Sequence, residues 1–399
     1  MQTIGSYLIN DPDAPLRFGE VNLINPSRRE RRGLPEREGI LCQSIITGFC
    51  GTDWKLMQMG ARGELGPKFP TGQTRLINGH EGVVWVPDQK RYAVVLIRGG
   101  DSYDPSRFES DETYFEYGCD QADGLMAYQG YYHPDMLLEI PADALPKGTI
   151  LTKTLGKRLS FADPMACMIF QRERIEDLLG AHNWRLFAAR GMDRSAALGE
   201  AVRDGFSHVV IYGLGSTGLL GTIAIKEKYP DARIVAVARS VPGNEKHAFL
   251  ARLYPDIVYV QASTDLADTS RRICEALGGR KPRIFLGASA SPGEAEVAFG
   301  HGVLDNNGIY ASFSLGPIVS YDTMPFGFRN HLIFGAINFR RDHMEDAIRL
   351  LCRLPLDELV REYPLTDLAA GPIAFYQAIY RGEQRAFKSA CVWDPERIA

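Results

Sequence analysis

Between residues 208 and 338 the chain alternates short apolar runs with longer amphipathic stretches. Val209-Val210-Ile211-Tyr212 has the length and β-branching of a strand buried on both faces. Leu219, Leu220, Ile223 and Ala224 follow at helical intervals up to Lys228, Pro230-Asp231 stops that helix, and Arg233 to Ala238 is a second apolar run. The same rhythm predicts helices over 245–254, 269–277 and 293–303, and strands over 257–260, 283–286, 308–313 and 332–338. Strands alternating with helices predict a doubly wound α/β domain on a parallel sheet. Residues 1–165 have a different texture. Apolar runs at 39–46, 82–86 and 92–97 are separated by Gly, Pro and charged turns, as in an antiparallel β-barrel. Helices are expected over 162–179, 185–202, 344–354 and 366–380, and a last strand over 387–393 is expected to return to the first domain. The predicted division is a first domain of 1–165 completed by 340–399, and a second of 166–339.

The first turn of the alternating region carries chemistry. Gly213-Leu214-Gly215-Ser216-Thr217-Gly218 has the G-x-G-x-x-G spacing between a strand and a helix. In that setting Gly213 makes the tight turn, Gly215 lets the backbone approach a pyrophosphate, and Gly218 lets helix pack on strand. The free N–H groups of Ser216 and Thr217 and the positive end of the helix dipole then face the phosphates. A dinucleotide site is expected here. The second strand ends in Ala238-Arg239-Ser240, without the carboxylate that an NAD site usually places there. A guanidinium and a hydroxyl suit a ribose 2′-phosphate, so NADP(H) is the expected preference over NAD(H). The alternative is that Arg239 is a solvated charge and both cofactors are accepted. Gly287 to Ser291 follows a later strand's carboxyl end, where small residues would let a cofactor lie close.

Composition narrows the field. The 399 residues suit two domains. Apolar content of 45% with 24% charged residues is that of an ordinary globular protein. A net charge of −4 without a Lys/Arg-rich tract argues against nucleic acid as a partner. No apolar run reaches membrane-spanning length, so no membrane partner is expected. Seven cysteines without a C-x-x-C suggest scattered thiols in a reducing, cytoplasmic setting.

Two clusters in the first domain supply candidate metal ligands, Gly48-Phe49-Cys50-Gly51-Thr52-Asp53 and Gly79-His80-Glu81-Gly82. Cys, His and a carboxylate are the ligand set of an open catalytic zinc site. Thr52, two residues from the thiol, could relay a substrate proton. Read singly, Cys50 is also a small buried hydrophobe and His80 a satisfied core histidine.

GFCGTD, GHEGVV, ADPMAC at 162–167 and the glycine turn, in that order, resemble the medium-chain zinc-dependent alcohol dehydrogenase superfamily, most nearly its glucose dehydrogenase branch. The resemblance spans nearly the whole chain. It implies a GroES-like β-barrel catalytic domain and a Rossmann domain. It also implies zinc on Cys50, His80, Glu81 and Asp163, proton relay by Thr52, and Asp53 orienting His80 or simply forming a turn. Asp163 stands where relatives usually carry Glu or Gln, one methylene longer than Asp, which leaves direct coordination or a water bridge open. Residues 98–119, which in many relatives hold four cysteines around a structural zinc, contain only Cys119, so one catalytic zinc and no structural zinc is expected. Glu116 and Asn338 match substrate-contacting positions, with Asn338 also near the nicotinamide. A small-molecule substrate and a homo-oligomer, dimer or tetramer, are implied too. The expected activity is NADP(H)-linked interconversion of a polyhydroxylated alcohol or sugar with its carbonyl form. Two rivals stand beside it: a zinc-free NADPH reductase of enones or quinones, and a non-catalytic cofactor-binding protein on the same fold.

Overall fold

A computed structural model describes residues 1–25, 38–70, 72–99, 115–145, 151–313, 323–336, 339–380 and 386–398, with main chain only at 99, 323 and 325. The chain divides into two compact units, Met1–Ala166 with Arg340–Ala399, and Cys167–Phe339. Asn338 lies outside the described residues.

The first unit is built from mostly antiparallel sheets. In the largest, strand Ile40–Gly48 is flanked by Glu81–Val86 and by Lys388–Val392. Strand Val360–Pro364 runs parallel to Lys388–Val392 at one edge. Beyond Glu81–Val86 come Arg91–Val95 and Leu137–Glu139. The strand Glu81–Val86 is buried along its whole length, so it reads as a continuous apolar run rather than an alternating one. Gln2–Ile9 pairs with both Leu16–Asn22 and Arg75–Ile77 in a second sheet.

The second unit carries six parallel strands. In chain order they are His208–Tyr212, Arg233–Ala238, Val258–Gln261, Ile284–Gly287, Ile309–Ser312 and Leu332–Gly335. Their spatial order is third, second, first, fourth, fifth, sixth. This is the doubly wound arrangement, with its switch point between the first and fourth strands. The turn after the first strand therefore sits where such sheets bind ligands.

The largest departures of the predicted helices from their expected bounds come in two places. One helix of 27 residues runs from Ala162 to Ala188, through the stop expected near 179. The break comes instead at Gly191, with φ of +87°, and Asp193 caps the next helix, Arg194–Ser207, by accepting from Ala196 N–H at 2.9 Å. Near the C-terminus the expected helix over 366–380 is two, Leu365–Ala370 and Pro372–Tyr380, because the Gly371-Pro372 pair interrupts the ladder. No helix among the described residues is long and apolar enough to cross a membrane.

Candidate metal centre and dinucleotide turn

Sheet register assembles the first site. Gly48, the last residue of its strand, pairs with Glu81, the first residue of the next. Cys50 follows two residues later as the N-cap of helix Gly51–Ala61. Glu81 opens its strand immediately after the Asn78-Gly79-His80 loop. Antiparallel pairing thus brings Cys50 beside His80 and Glu81. Ligand atoms of these three side chains all lie within 4.8 Å of one another. His80 and Glu81 are buried, and Cys50 is half-buried. Thiol, imidazole and carboxylate at this spacing fit zinc.

Asp53 ties the two ligand loops together. It is fully buried, and its Oδ2 accepts from Cys50 N–H at 3.0 Å while Oδ1 accepts from Gly79 N–H at 3.1 Å. Oδ1 also lies 3.8 Å from His80 Nδ1. Gly79 is required at its place. Its φ is +85°, and a Cβ there would approach Met126 Cγ to 2.4 Å. Cys119 Sγ lies 3.0 Å from His80 Nδ1. With that nitrogen engaged, Nε2 is the ring atom left to a metal. Thr52 Oγ1 is 3.7 Å from Cys50 Sγ.

The surrounding charges favour a thiolate. Burial pushes the Cys50 thiol up, but His80 and Lys388 outweigh it, and the net shift is downward. Burial pulls the His80 imidazolium down, while Cys119 and Cys50 hold it well above the usual histidine range. Lys388 is buried in contact with the Glu81 carboxylate. Burial lowers its pKa to about 8 against the opposing pull of Cys50 and Asp53. Gly48 makes room for this pair: a Cβ would come within 2.8 Å of Lys388 Cε and 3.0 Å of Glu81 Oε2. Tyr380 donates its hydroxyl to the carbonyl of Cys50 and stacks on Trp54 at 5.7 Å between ring centroids.

Asp163 makes a different contact. It is not within the Cys50–His80–Glu81 group. Its Oδ1 accepts from Arg98 Nη1 at 2.6 Å, and Arg98 Nη2 lies 3.1 Å from Glu116 Oε1. The Asp163 and Glu116 carboxylates, assigned by resemblance to metal and substrate, thus share one guanidinium. Four residues of this neighbourhood escaped the sequence reading as site residues. Lys388 was legible as the one charge in an apolar strand, Phe387 to Trp393. Arg98 ends the apolar run from Tyr92, and Cys119 is the one cysteine of residues 98–119. Tyr380 gave no sequence signal.

In the second unit the glycine turn has the expected stereochemistry. Gly213 has φ of +103°, and a Cβ would meet Ser289 N at 2.7 Å. A Cβ on Gly218 would stand 1.7 Å from Gly213 O. Gly215 is the N-cap of helix Ser216–Lys228, exposed, with open space where its side chain would be. Ser216 and Thr217, half-buried, form the first turn whose N–H groups have no partner within the helix. This is a cradle that fits a pyrophosphate. Arg239 and Ser240 are exposed at the end of their strand. The Ser240 hydroxyl lies 2.9 Å from Tyr259 Oη, whose ring stacks on His247 at 4.5 Å. Beside the turn, buried Glu294 fixes the Gly287–Ser291 loop by accepting from Ser289 N–H at 3.1 Å, Ser289 Oγ at 2.6 Å and Tyr310 Oη at 3.0 Å.

No protein-family model and no curated protein sequence matches the chain. Among solved structures, glucose dehydrogenase from Haloferax mediterranei in complex with NADP, Zn and gluconolactone superposes with a TM-score of 0.68 at 18% identity, covering 99% of each chain. L-idonate 5-dehydrogenase from Escherichia coli gives 0.67 at 17% identity over 98% of each. Alcohol dehydrogenase from the hyperthermophilic archaeon Aeropyrum pernix gives 0.65 at 17% identity, over 98% of this chain and 99% of that one. At these identities the shared property is the fold, a GroES-like unit with a Rossmann unit.

Proposed function

We propose that the protein is a zinc-dependent oxidoreductase, preferring NADP(H), that interconverts a small polyhydroxylated alcohol or sugar with its carbonyl form. The observation that carries this reading is the Cys50–His80–Glu81 trio within 4.8 Å, with the Thr52 hydroxyl beside the thiol. The solved structure with NADP, Zn and gluconolactone on the same fold supports the substrate class. A zinc-free reductase has no use for a half-buried thiol beside a buried imidazole and carboxylate, with the two ligand loops tied by Asp53.

In this reading Cys50, His80 and Glu81 hold zinc, which when bound acts as a Lewis acid toward the substrate oxygen. Thr52 Oγ1 takes the alcohol proton and passes it outward. Glu116 and Asn338 orient substrate hydroxyls. Gly213, Gly215, Ser216, Thr217 and Gly218 would seat the pyrophosphate, and Arg239 and Ser240 the 2′-phosphate, of a dinucleotide that would supply hydride-transfer chemistry. A homo-oligomer, dimer or tetramer, is proposed on the resemblance alone, as is a cytoplasmic location.

The direct test is NADP-linked oxidation of a panel of aldoses and polyols by zinc-loaded protein. Turnover on at least one is expected; retained zinc with none would favour the non-catalytic alternative. Two variants check the roles. Thr52→Val should lower kcat by about 10²-fold with zinc content unchanged, as removal of a general acid–base group does. Unaltered kcat would assign the proton path to another group. Arg239→Ala should weaken NADPH by about 10- to 100-fold, the scale of a lost charge-assisted pair, and leave NADH nearly untouched. Equal losses for both cofactors would remove Arg239 from the 2′-phosphate site.

A further inference from the structure

Arg98 stands at a junction that neither the zinc nor the substrate role explains. It is buried, 9% exposed, and pairs across a short antiparallel ladder with Glu116. Asp163 reaches the same guanidinium from the second residue of helix Ala162–Ala188. Glu116 and Asp163 are buried as well. Two carboxylates so placed would repel one another, and each would be drawn to any nearby cation. The fork of Arg98 answers both at once, Nη1 to Asp163 at 2.6 Å and Nη2 near Glu116 at 3.1 Å. The Asp163 Oδ1 is thus committed to a buried guanidinium, which competes with a metal for the same carboxylate.

We propose that Arg98 is a positioning residue that sets the ligand number of the metal centre. It holds Asp163 away from Cys50, His80 and Glu81, so that three side chains bind the metal and the remaining position stays open to substrate. The inference rests on the zinc reading above. Arg98 touches no reacting atom; it acts by keeping a carboxylate occupied.

Zinc affinity by chelator competition and the visible bands of the cobalt-substituted full chain test this, with wild type, D163N, R98M, R98K and R98M/D163N compared. D163N should leave zinc affinity within about 3-fold of wild type and the cobalt bands unchanged. R98M should tighten zinc by about 10-fold, the scale on which residues behind the ligands act, and weaken the cobalt bands as a ligand is added. R98M/D163N should return both to wild type, which a merely structural role for Arg98 would not do. R98K, which keeps the charge but not the fork, should fall between. Weakening of zinc by 10-fold or more in D163N would overturn the proposal even if R98M does not fold, and so would an R98M protein that binds zinc as wild type does. If C50S binds zinc as tightly as wild type, the zinc reading itself fails; if C50S loses zinc while D163N weakens it, only the role of Arg98 fails.

Discussion

Cys50→Ser should lose zinc and turnover together while keeping NADPH. Cys50 is the anionic anchor of the trio, and its thiol is biased toward thiolate by His80 and Lys388 in spite of burial. A serine hydroxyl has no such anion to offer at neutral pH. Histidine and a carboxylate already engaged with Lys388 would be left to hold the metal. Zinc affinity should fall by at least about 10³-fold, since a thiolate is a principal contributor to such sites. Turnover should fall by about 10⁴-fold or more, because a Lewis acid lowers the barrier by several kcal/mol. The glycine turn is built from residues of the other unit and takes nothing from Cys50, so the NADPH dissociation constant should stay within about 3-fold. Elemental analysis and a fluorescence titration on one sample read all three quantities. Loss of NADPH binding with zinc retained would mean that the residues have been given the wrong tasks.

Gly218→Ala should fail in the other unit and in the opposite sense. The new methyl carbon would sit 1.7 Å from the carbonyl oxygen of Gly213, a backbone atom with no flexible end to move aside. Gly213 itself cannot retreat freely, since its φ of +103° is a glycine conformation and Ser289 N closes the other side. The helix must therefore shift off the strand, and the turn must open. NADPH and NADH should both weaken by about 100-fold, and stability should drop by about 2–4 kcal/mol, the range of strained or overpacked sites. Zinc content should be unchanged. Cofactor titration and thermal unfolding check this; unaltered binding would mean that the turn does not seat the dinucleotide.

The contrast between these two sites shows what the sequence could and could not reveal. The glycine turn is local: six consecutive residues between a strand and a helix fix its shape, and the observed φ at Gly213 and the contact at Gly218 follow from that spacing. The six strands were legible for the same reason, as each is a contiguous apolar run. The metal centre is half local. Cys50 and His80 stand in readable motifs, but their meeting depends on strand register, and Gly48 pairing with Glu81 is a long-range fact. What surrounds them was not legible. Lys388 arrives from the far end of the chain on a strand whose pairing no periodicity reveals. Arg98 lies 65 positions from Asp163, and nothing in either segment announces the other. For that reason Asp163, aligned by motif with a metal ligand, sits on a guanidinium in the fold. The helix stop at Gly191 rather than near 179 has a similar cause, since Gly180 is tolerated within a helix packed against Leu198. Asn338 and most of the stretch between residues 98 and 119 fall outside the described residues.

The measurement that bears most directly on the central claim is the zinc content of the purified full chain by elemental analysis. One bound zinc, about one per chain and lost in Cys50→Ser, is the predicted result for a single site on Cys50, His80 and Glu81. A value near zero under metal-replete conditions would contradict the zinc chemistry and turn attention to the zinc-free reductase. A value near two would contradict the single-site account and place a second metal among residues 98–119.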